Sequence, residues 1–212
     1  KLFNGLNVKN TRIVAVDGKN ENVREMIKPI ETSITDYEIA CTLSHIKALS
    51  YLNNLDGEYF LVCEDDIKLD NIYLINENIE TIIKNAPVFE ILLIYKTSLY
   101  KFQNNYEYYK DLNKSTNFDE HIYGTACYII TKNGLSKILN KMHFTNNKFI
   151  INDTDIKPAD YYLYENIKTC IYKYNFIDTL NETSLIHSEH LDFHSKSSKF
   201  QNETIINDFK YD

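Results

Sequence analysis

Three consecutive acidic residues, Glu64-Asp65-Asp66, follow Tyr59-Phe-Leu-Val-Cys63, an apolar run with the composition of a buried strand. In an open α/β sheet, ligands bind beyond the carboxyl ends of the strands, where this triplet is placed. Strand alternation would direct Glu64 and Asp66 to one side and Asp65 to the other. Two carboxylates on one side repel each other unless a cation lies between them, and Mg²⁺ or Mn²⁺ suits such oxygen ligands. The triplet predicts a metal site, although a solvated acidic turn is an equally open interpretation.

A helix is predicted to begin near Thr35, because Thr35-Asp36-Tyr37-Glu38 has the capping-box pattern. Its buried face is marked by apolar residues at helical spacing, namely Ile39, Leu43, Ile46 and Leu49. Glu38 and His45 are seven residues apart and therefore lie on one face of this helix. Each has a structural alternative: Glu38 could be the capping partner of Thr35, and His45 could be a hydrogen-bonded core histidine.

The remaining pattern indicates the fold class. Apolar runs at 12–16, 90–95, 124–130 and 168–174 are predicted strands, and residues 71–85, 134–142 and 160–166 are predicted helices. Strands that alternate with helices indicate an α/β domain, with a mostly parallel central sheet flanked by helices. Because there is no internal repeat and no Pro/Gly/Ser linker, we expect a single domain over residues 1–212, with a polar, unassigned tail from about residue 181.

Residues 95–121 are predicted to form a long loop, and long loops in compact domains are often functional. Four tyrosines in it could stack on sugar rings or could simply anchor the loop: Tyr100, Tyr106, Tyr108 and Tyr109.

Composition excludes several classes of protein. The net charge is −7 and no Lys/Arg run is present, so a nucleic-acid partner is disfavoured. The five glycines are too far apart for a phosphate-binding loop or a dinucleotide fingerprint. No apolar stretch has the length of a membrane span, and no signal peptide is recognisable. The four cysteines have no metal-ligand spacing and are expected to be free, buried thiols, which favours a soluble cytoplasmic protein.

Two motifs taken together resemble glycosyltransferase family 25, which includes lipooligosaccharide and collagen hydroxylysine galactosyltransferases. They are Glu38-Ile-Ala-Cys-Thr-Leu-Ser-His45 and, some twenty residues later, Leu61-Val-Cys-Glu-Asp-Asp-Ile67. Three further segments follow the order of the family pattern: Ala15-Val-Asp-Gly18, the run 124–130 with Gly134, and Pro158-Ala-Asp160. The resemblance runs from about Arg12 to about Ser184.

The resemblance implies a GT-A type nucleotide-sugar fold, a UDP-sugar donor, dependence on Mn²⁺ (or Mg²⁺) and inversion at the anomeric carbon. Asp160 would be the catalytic base, and Asp66 and Glu64 would be metal ligands. His187 is our choice for a third metal ligand, with His190 and His194 as alternatives; a histidine-containing surface tail is the more common explanation for all three. The residues expected at the donor are Asp17, Glu38, His45, Glu64 and Asp65. Asp160 could instead be a helix N-cap after Pro158.

The chain departs from the family pattern in three places. The pattern opens with a strand ahead of the segment that corresponds to residues 1–10, so this sequence is expected to lack that strand. Ala40 stands in place of a glycine, and residues 174–177 stand in place of a segment that contains proline.

The resemblance therefore implies a hexosyltransferase that moves galactose or glucose from a UDP-sugar to a glycan or glycoprotein acceptor. A non-catalytic nucleotide- or glycan-binding relative and a metal-dependent phosphohydrolase are the alternatives.

Overall fold

The computed structural model describes residues 9–27, 33–102, 108–112, 122–152, 156–180 and 191–209. The helices are α1 (Val23–Met26), α2 (Asp36–Leu52), α3 (Ile79–Asn85), α4 (Lys132–Lys141), α5 (Ala159–Tyr164) and α6 (Leu191–Phe209), and a short 3-10 helix spans Asp70–Tyr73. The strands are β1 (Tyr59–Cys63), β2 (Ile67–Lys68), β3 (Ile91–Leu93), β4 (Tyr109–Leu112), β5 (Cys127–Thr131), β6 (Met142–Thr145), β7 (Lys148–Ile151), β8 (Thr169–Tyr172) and β9 (Asp178–Thr179).

The central sheet has five strands in the order β1-β5-β3-β8-β4. Among the strands that the structure describes in this sheet, only the β3–β8 pair is parallel; the β1–β5, β5–β3 and β8–β4 pairs are antiparallel. The α/β class is confirmed, but the prediction of a mostly parallel sheet is wrong. Strands β1, β3 and β8 run in the same direction, as expected for strands joined by strand–helix–strand crossovers. The sheet becomes mostly antiparallel because β5 is inserted in the opposite direction between β1 and β3, and β4 is added at the edge.

Both faces of this sheet are covered. Because side chains alternate along a strand, Ile91 and Leu93 of β3 face one apolar cluster and Leu92 faces the other. The first cluster includes buried residues of α2, α4 and α5, and the second includes Ile82 of α3 and Ile205 of α6. The sheet therefore lies between two helical layers, as expected for strands that are apolar on both faces.

The start of α2 is fixed by the predicted capping box. The Thr35 side chain accepts a hydrogen bond from the Glu38 backbone N–H (3.2 Å), and the Glu38 carboxylate accepts one from the Thr35 backbone N–H (2.7 Å). Two N–H groups at the helix terminus that lack intrahelical partners are satisfied in this way. The buried face of α2 contains all four apolar residues that the sequence predicted for it.

Three other predictions need correction. Residues 12–16 form no strand; this segment lies beside α2, and Val14 is exposed. The predicted helix over 71–85 is divided into the 3-10 helix and α3, because Asn78 caps a new helix by accepting a hydrogen bond from the Thr81 N–H (2.8 Å). The predicted loop 95–121 contains the edge strand β4 within its described part.

The polar tail beyond residue 181 contains α6, and no described helix is long and apolar enough to cross a membrane. The four cysteines are free, with Cys127 and Cys170 buried and Cys41 and Cys63 half-buried.

Candidate active site

Glu64 lies where β1 ends, and the pairing with β5 fixes its position. The register pairs Cys63 with Cys127, and one further backbone bond joins the Glu64 N–H to the carbonyl of Ala126 (2.9 Å). This bond brings the Glu64 carboxylate beside the Thr125 hydroxyl, which donates to Oε1 (2.6 Å). The chain then turns at residues 65–66. The strand-like alternation of side chains, which was expected to direct Glu64 and Asp66 to one side and Asp65 to the other, therefore ends with β1.

His45 is the second partner of Glu64. It projects from the middle of α2, with Nε2 3.3 Å from Glu64 Oε1 and Nδ1 3.1 Å from the hydroxyl of Tyr128. The ring is buried, whereas about a third of the Glu64 side chain is exposed. Burial alone would raise the pKa of Glu64, but the hydrogen bonds from His45 and Thr125 and the charge of His45 lower it. Glu64 is therefore held as a carboxylate.

Cys41 completes this group. It precedes His45 by one turn of α2, and its Sγ, a nitrogen of His45 and a carboxylate oxygen of Glu64 all lie within 4.8 Å of one another. Burial raises the pKa of the Cys41 thiol, and the charges of Glu64, Asp160 and Asp66 raise it further. Two of these carboxylates, Glu64 and Asp66, follow β1, and the third, Asp160, lies in α5.

Asp66 and Asp160 differ in their surroundings. Asp66 is exposed in the turn after β1, and its carbonyl accepts a hydrogen bond from the Leu180 N–H (2.8 Å). Asp160 is half-buried in the first turn of α5, where its Oδ1 accepts from the N–H of Tyr161 (3.0 Å). The N-cap position of α5 is occupied by Pro158, so the alternative of Asp160 as the N-cap is wrong.

Asp17 is exposed and organises a turn beside α2. Its carboxylate accepts hydrogen bonds from the Asn20 side chain (2.7 Å) and from the Lys19 N–H (2.9 Å), and these bonds lower the pKa of Asp17. The following residue, Gly18, packs so closely that a Cβ there would lie 2.9 Å from the carbonyl oxygen of Asp36. Glycine thus allows this turn to contact the start of α2.

The remaining predicted site residues are placed as follows. Glu38 has the structural role of capping partner, and whether it also contacts a donor stays a prediction. Asp65 is exposed, with Oδ2 3.1 Å from Nη2 of an equally exposed Arg12. His187 and His190 lie outside the described residues, and His194 lies on α6.

Of the loop tyrosines, Tyr106 lies outside the described residues, whereas Tyr109 is an anchor, because its hydroxyl donates to the carbonyl of Ile82 (2.8 Å).

The sequence interpretation missed four residues of this site: Cys41, Thr125, Tyr128 and Tyr164. The hydroxyl of Tyr164 donates to the Gly124 carbonyl (2.8 Å) and so supports the segment that carries Thr125. Cys41 could have been found from its spacing, because it is four residues before His45 on the same helix and therefore on the same face.

The model of glycosyltransferase family 25, described as an LPS biosynthesis protein family, matches residues 1–154. These residues include the complete α2, both motifs and the acidic triplet. Searches of the curated proteins and of the solved structures gave no significant match. The family match covers well over half of the chain and agrees with the two motifs whose residues meet at the end of β1. The chain belongs to glycosyltransferase family 25 and is a glycosyltransferase.

Proposed function

We propose that this chain transfers a hexose, galactose or glucose, from a UDP-sugar to a hydroxyl group of a glycan or of a hydroxylated protein side chain. The observation that supports this most is the Glu64 carboxylate, held by His45 and Thr125 at the end of β1 and followed by the exposed Asp66. A third carboxylate, that of the half-buried Asp160, lies in the first turn of α5. Metal-dependent sugar transfer needs carboxylates for a cation and one carboxylate for a proton.

We propose Mn²⁺ or Mg²⁺ as the cation, with Asp66 and Glu64 as ligands. The chemistry of the residues fits a hard ion, because Asp66 is exposed and Glu64 is held as a carboxylate. Within the described residues, the contacts of the Glu64 carboxylate fall on Oε1, so Oε2 is the oxygen we assign to the ion. When bound, the ion would neutralise the charge of the leaving diphosphate. His187 stays our proposal for a third ligand.

Asp160 is the proposed general base. The acceptor hydroxyl gives its proton to the Asp160 carboxylate while the hydroxyl oxygen attacks the anomeric carbon and the bond from that carbon to the UDP oxygen breaks. Attack from the side opposite UDP inverts the anomeric configuration. The half-buried position of Asp160 at the start of α5 allows access from solvent and keeps its carboxylate oriented.

We propose that the donor is bound by five residues, namely Asp17, Glu38, His45, Glu64 and Asp65. His45 would act by holding Glu64, since Nε2 faces that carboxylate and Nδ1 is bound to Tyr128. We also propose that residues 1–212 form a single domain of GT-A type and that no nucleic acid is a partner, given the net charge of −7.

The test is UDP release from a panel of UDP-sugars in the presence of Mn²⁺. One UDP-sugar should be turned over, and Asp66→Ala should abolish this turnover. Asp56→Ala is the matched control, because Asp56 is exposed and precedes β1, at the end of the strand opposite Glu64. If no UDP-sugar is bound or hydrolysed, the proposed reaction is wrong. Release of phosphate from simple phosphoesters without preference for UDP-sugars would instead indicate a phosphohydrolase.

A further inference from the structure

The group formed by Cys41, His45 and Glu64 contains a sulfur, a nitrogen and an oxygen ligand. Cys41 and His45 are presented by one face of α2, and Glu64 is presented by the end of β1. All three potential ligand atoms lie within 4.8 Å of one another, and the His45 nitrogen and the Glu64 oxygen are only 3.3 Å apart. Ligand atoms around a tetrahedral zinc ion are about 3.5 Å apart, so a small movement of the Cys41 side chain would close the group around an ion.

The ligand types select a different metal from the one expected for sugar transfer. Mg²⁺ and Mn²⁺ favour oxygen ligands, whereas thiolate and imidazole ligands favour Zn²⁺. Cys, His and Glu are all established zinc ligand types, and three protein ligands leave the fourth tetrahedral position for a water molecule.

The surroundings already orient two of the three ligands. A histidine that binds a metal usually gives its other ring nitrogen to a hydrogen-bond partner, which fixes the direction of the ring. The Tyr128 hydroxyl, 3.1 Å from Nδ1 of His45, has this position and leaves Nε2 directed at Glu64. The Thr125 hydroxyl holds the Glu64 carboxylate in the same way, through a hydrogen bond of 2.6 Å.

We propose that Cys41, His45 and Oε1 of Glu64 form a three-ligand binding site for Zn²⁺ that links α2 to the end of β1, while Oε2 of Glu64 stays assigned to Mn²⁺ or Mg²⁺. On binding, the Cys41 thiol loses its proton to solvent and the sulfur becomes a thiolate ligand of the ion. The proposal goes beyond sugar transfer and is tested by metal binding, so it stands or fails independently of any activity with UDP-sugars.

The experiment uses Co²⁺ as a spectroscopic substitute for Zn²⁺ on the metal-free chain. A thiolate ligand gives a near-ultraviolet charge-transfer band, and we expect such a band to saturate at one Co²⁺ per chain and to disappear when Zn²⁺ is added. Cys41→Ser should lose the band, because a serine hydroxyl is a poor ligand for this ion. Cys170→Ala should keep it, because Cys170 is buried in β8 and belongs to the cluster on the other face of the sheet. Absence of the band in the wild-type chain, or its persistence in Cys41→Ser, would overturn the proposal.

A second measurement needs no variant and covers the case in which Cys41→Ser does not fold. Cys41 is half-buried, so iodoacetamide should modify it slowly in the metal-free wild-type chain. Saturating Zn²⁺ should reduce the rate of Cys41 modification, measured at alkaline pH by peptide mass spectrometry, about tenfold or more, because a sulfur that is bound to the ion is not available to the reagent. Saturating Mg²⁺ should leave that rate unchanged. An equal rate with and without Zn²⁺ would contradict the site.

Discussion

His45 Nε2 lies 3.3 Å from Oε1 of Glu64, so a buried histidine from the middle of α2 faces the carboxylate that follows β1. The two residues belong to the two sequence motifs that resemble glycosyltransferase family 25, and their contact brings those motifs together at the end of β1. The helix motif supplies the group that orients the carboxylate, and the strand motif supplies the carboxylate itself. The contribution of this contact to the free energy of unfolding can be measured without any assay of sugar transfer.

The first prediction concerns the stability of the Glu64 carboxylate. Because the pKa of Glu64 in the folded chain lies below its usual value of 4.5, the charged form contributes stability that is present above that value and lost as the pH falls through the folded pKa. Glu64→Gln should therefore lower the free energy of unfolding by about 1 kcal/mol near neutral pH, a figure reduced for the partial exposure of the side chain. This difference should shrink as the pH falls below 4.5. Urea unfolding of both proteins across this range measures it.

Glu58→Gln is the matched control for this comparison. Glu58 is exposed and immediately precedes β1, at the end of the strand opposite Glu64. Its substitution should change the free energy of unfolding little at any pH in the series. A Glu64→Gln effect of constant size from neutral to acidic pH would show that the carboxylate charge is not its cause.

The second prediction tests Asp160 as the proposed general base. Asp160→Asn keeps an oxygen that can accept from the Tyr161 N–H but cannot take a proton from the acceptor. We expect kcat to fall by roughly 10²–10⁴-fold, with little change in the Kd of the UDP-sugar measured by calorimetry. Asp56→Asn removes one negative charge from an exposed position and should leave kcat unchanged. A normal kcat for Asp160→Asn would remove Asp160 from the mechanism.

The third prediction concerns the close contact between Gly18 and α2. A Cβ at this position would lie 2.9 Å from the carbonyl oxygen of Asp36 and 3.0 Å from the Cβ of Ala40, so Gly18→Ala should move the turn away from the helix. We expect a loss of about 1–3 kcal/mol in the free energy of unfolding, visible as a lower Tm. Lys19→Ala, at the next and exposed position, should leave the Tm nearly unchanged. An unchanged Tm in Gly18→Ala would mean that the turn adjusts without cost.

Several local features of the fold could be predicted from the sequence, although the segments 12–16 and 71–85 were not, and long-range pairing could not be predicted. The capping box at Thr35 and the apolar runs of β1, β3, β5 and β8 depend on neighbouring residues, and the structure confirms them. The direction of β5 depends on which strands it pairs with, and no local pattern contains that information. Helix α6 was not predicted because two of the three buried residues on it are polar, namely Ser197 and Gln201, so apolar periodicity does not mark its inner face.

Some residues of the candidate site could likewise be predicted from local sequence, and others could not. Glu64 and His45 were identified from their motifs, because a carboxylate after a strand and a histidine on a helix face are visible in sequence. Thr125 and Tyr128 were missed, because they reach the site only through the antiparallel register that pairs β1 with β5. The spacing of Cys41 and His45 was visible in the sequence. The third member of their group of potential metal ligands is Glu64, which follows a different element and could not be paired with them from spacing.

The fourth prediction separates the two roles assigned to Glu38. If the capping box is the only role, Thr35→Ala should lower the free energy of unfolding by about 1 kcal/mol. Because the two side chains form reciprocal bonds, Glu38→Ala should then lower the free energy of unfolding less in the Thr35→Ala variant than in the wild-type chain. Glutamine is also accepted at this position of a capping box, so Glu38→Gln should keep the Tm while removing the charge.

The affinity of the Glu38→Gln variant for the donor then tests whether Glu38 contacts the nucleotide sugar. If Glu38 contacts the nucleotide sugar through its charge, the Kd for the UDP-sugar should rise although the Tm is unchanged, and calorimetry together with thermal unfolding measures both quantities. If neither quantity changes, Glu38 acts only by fixing the start of α2, and the donor contact is wrong. Glu58→Gln is again a suitable control, because it removes the same charge from an exposed position outside the site. A fall in the Tm of Glu38→Gln would instead mean that the carboxylate charge itself stabilises the first turn of α2, next to its positive dipole end.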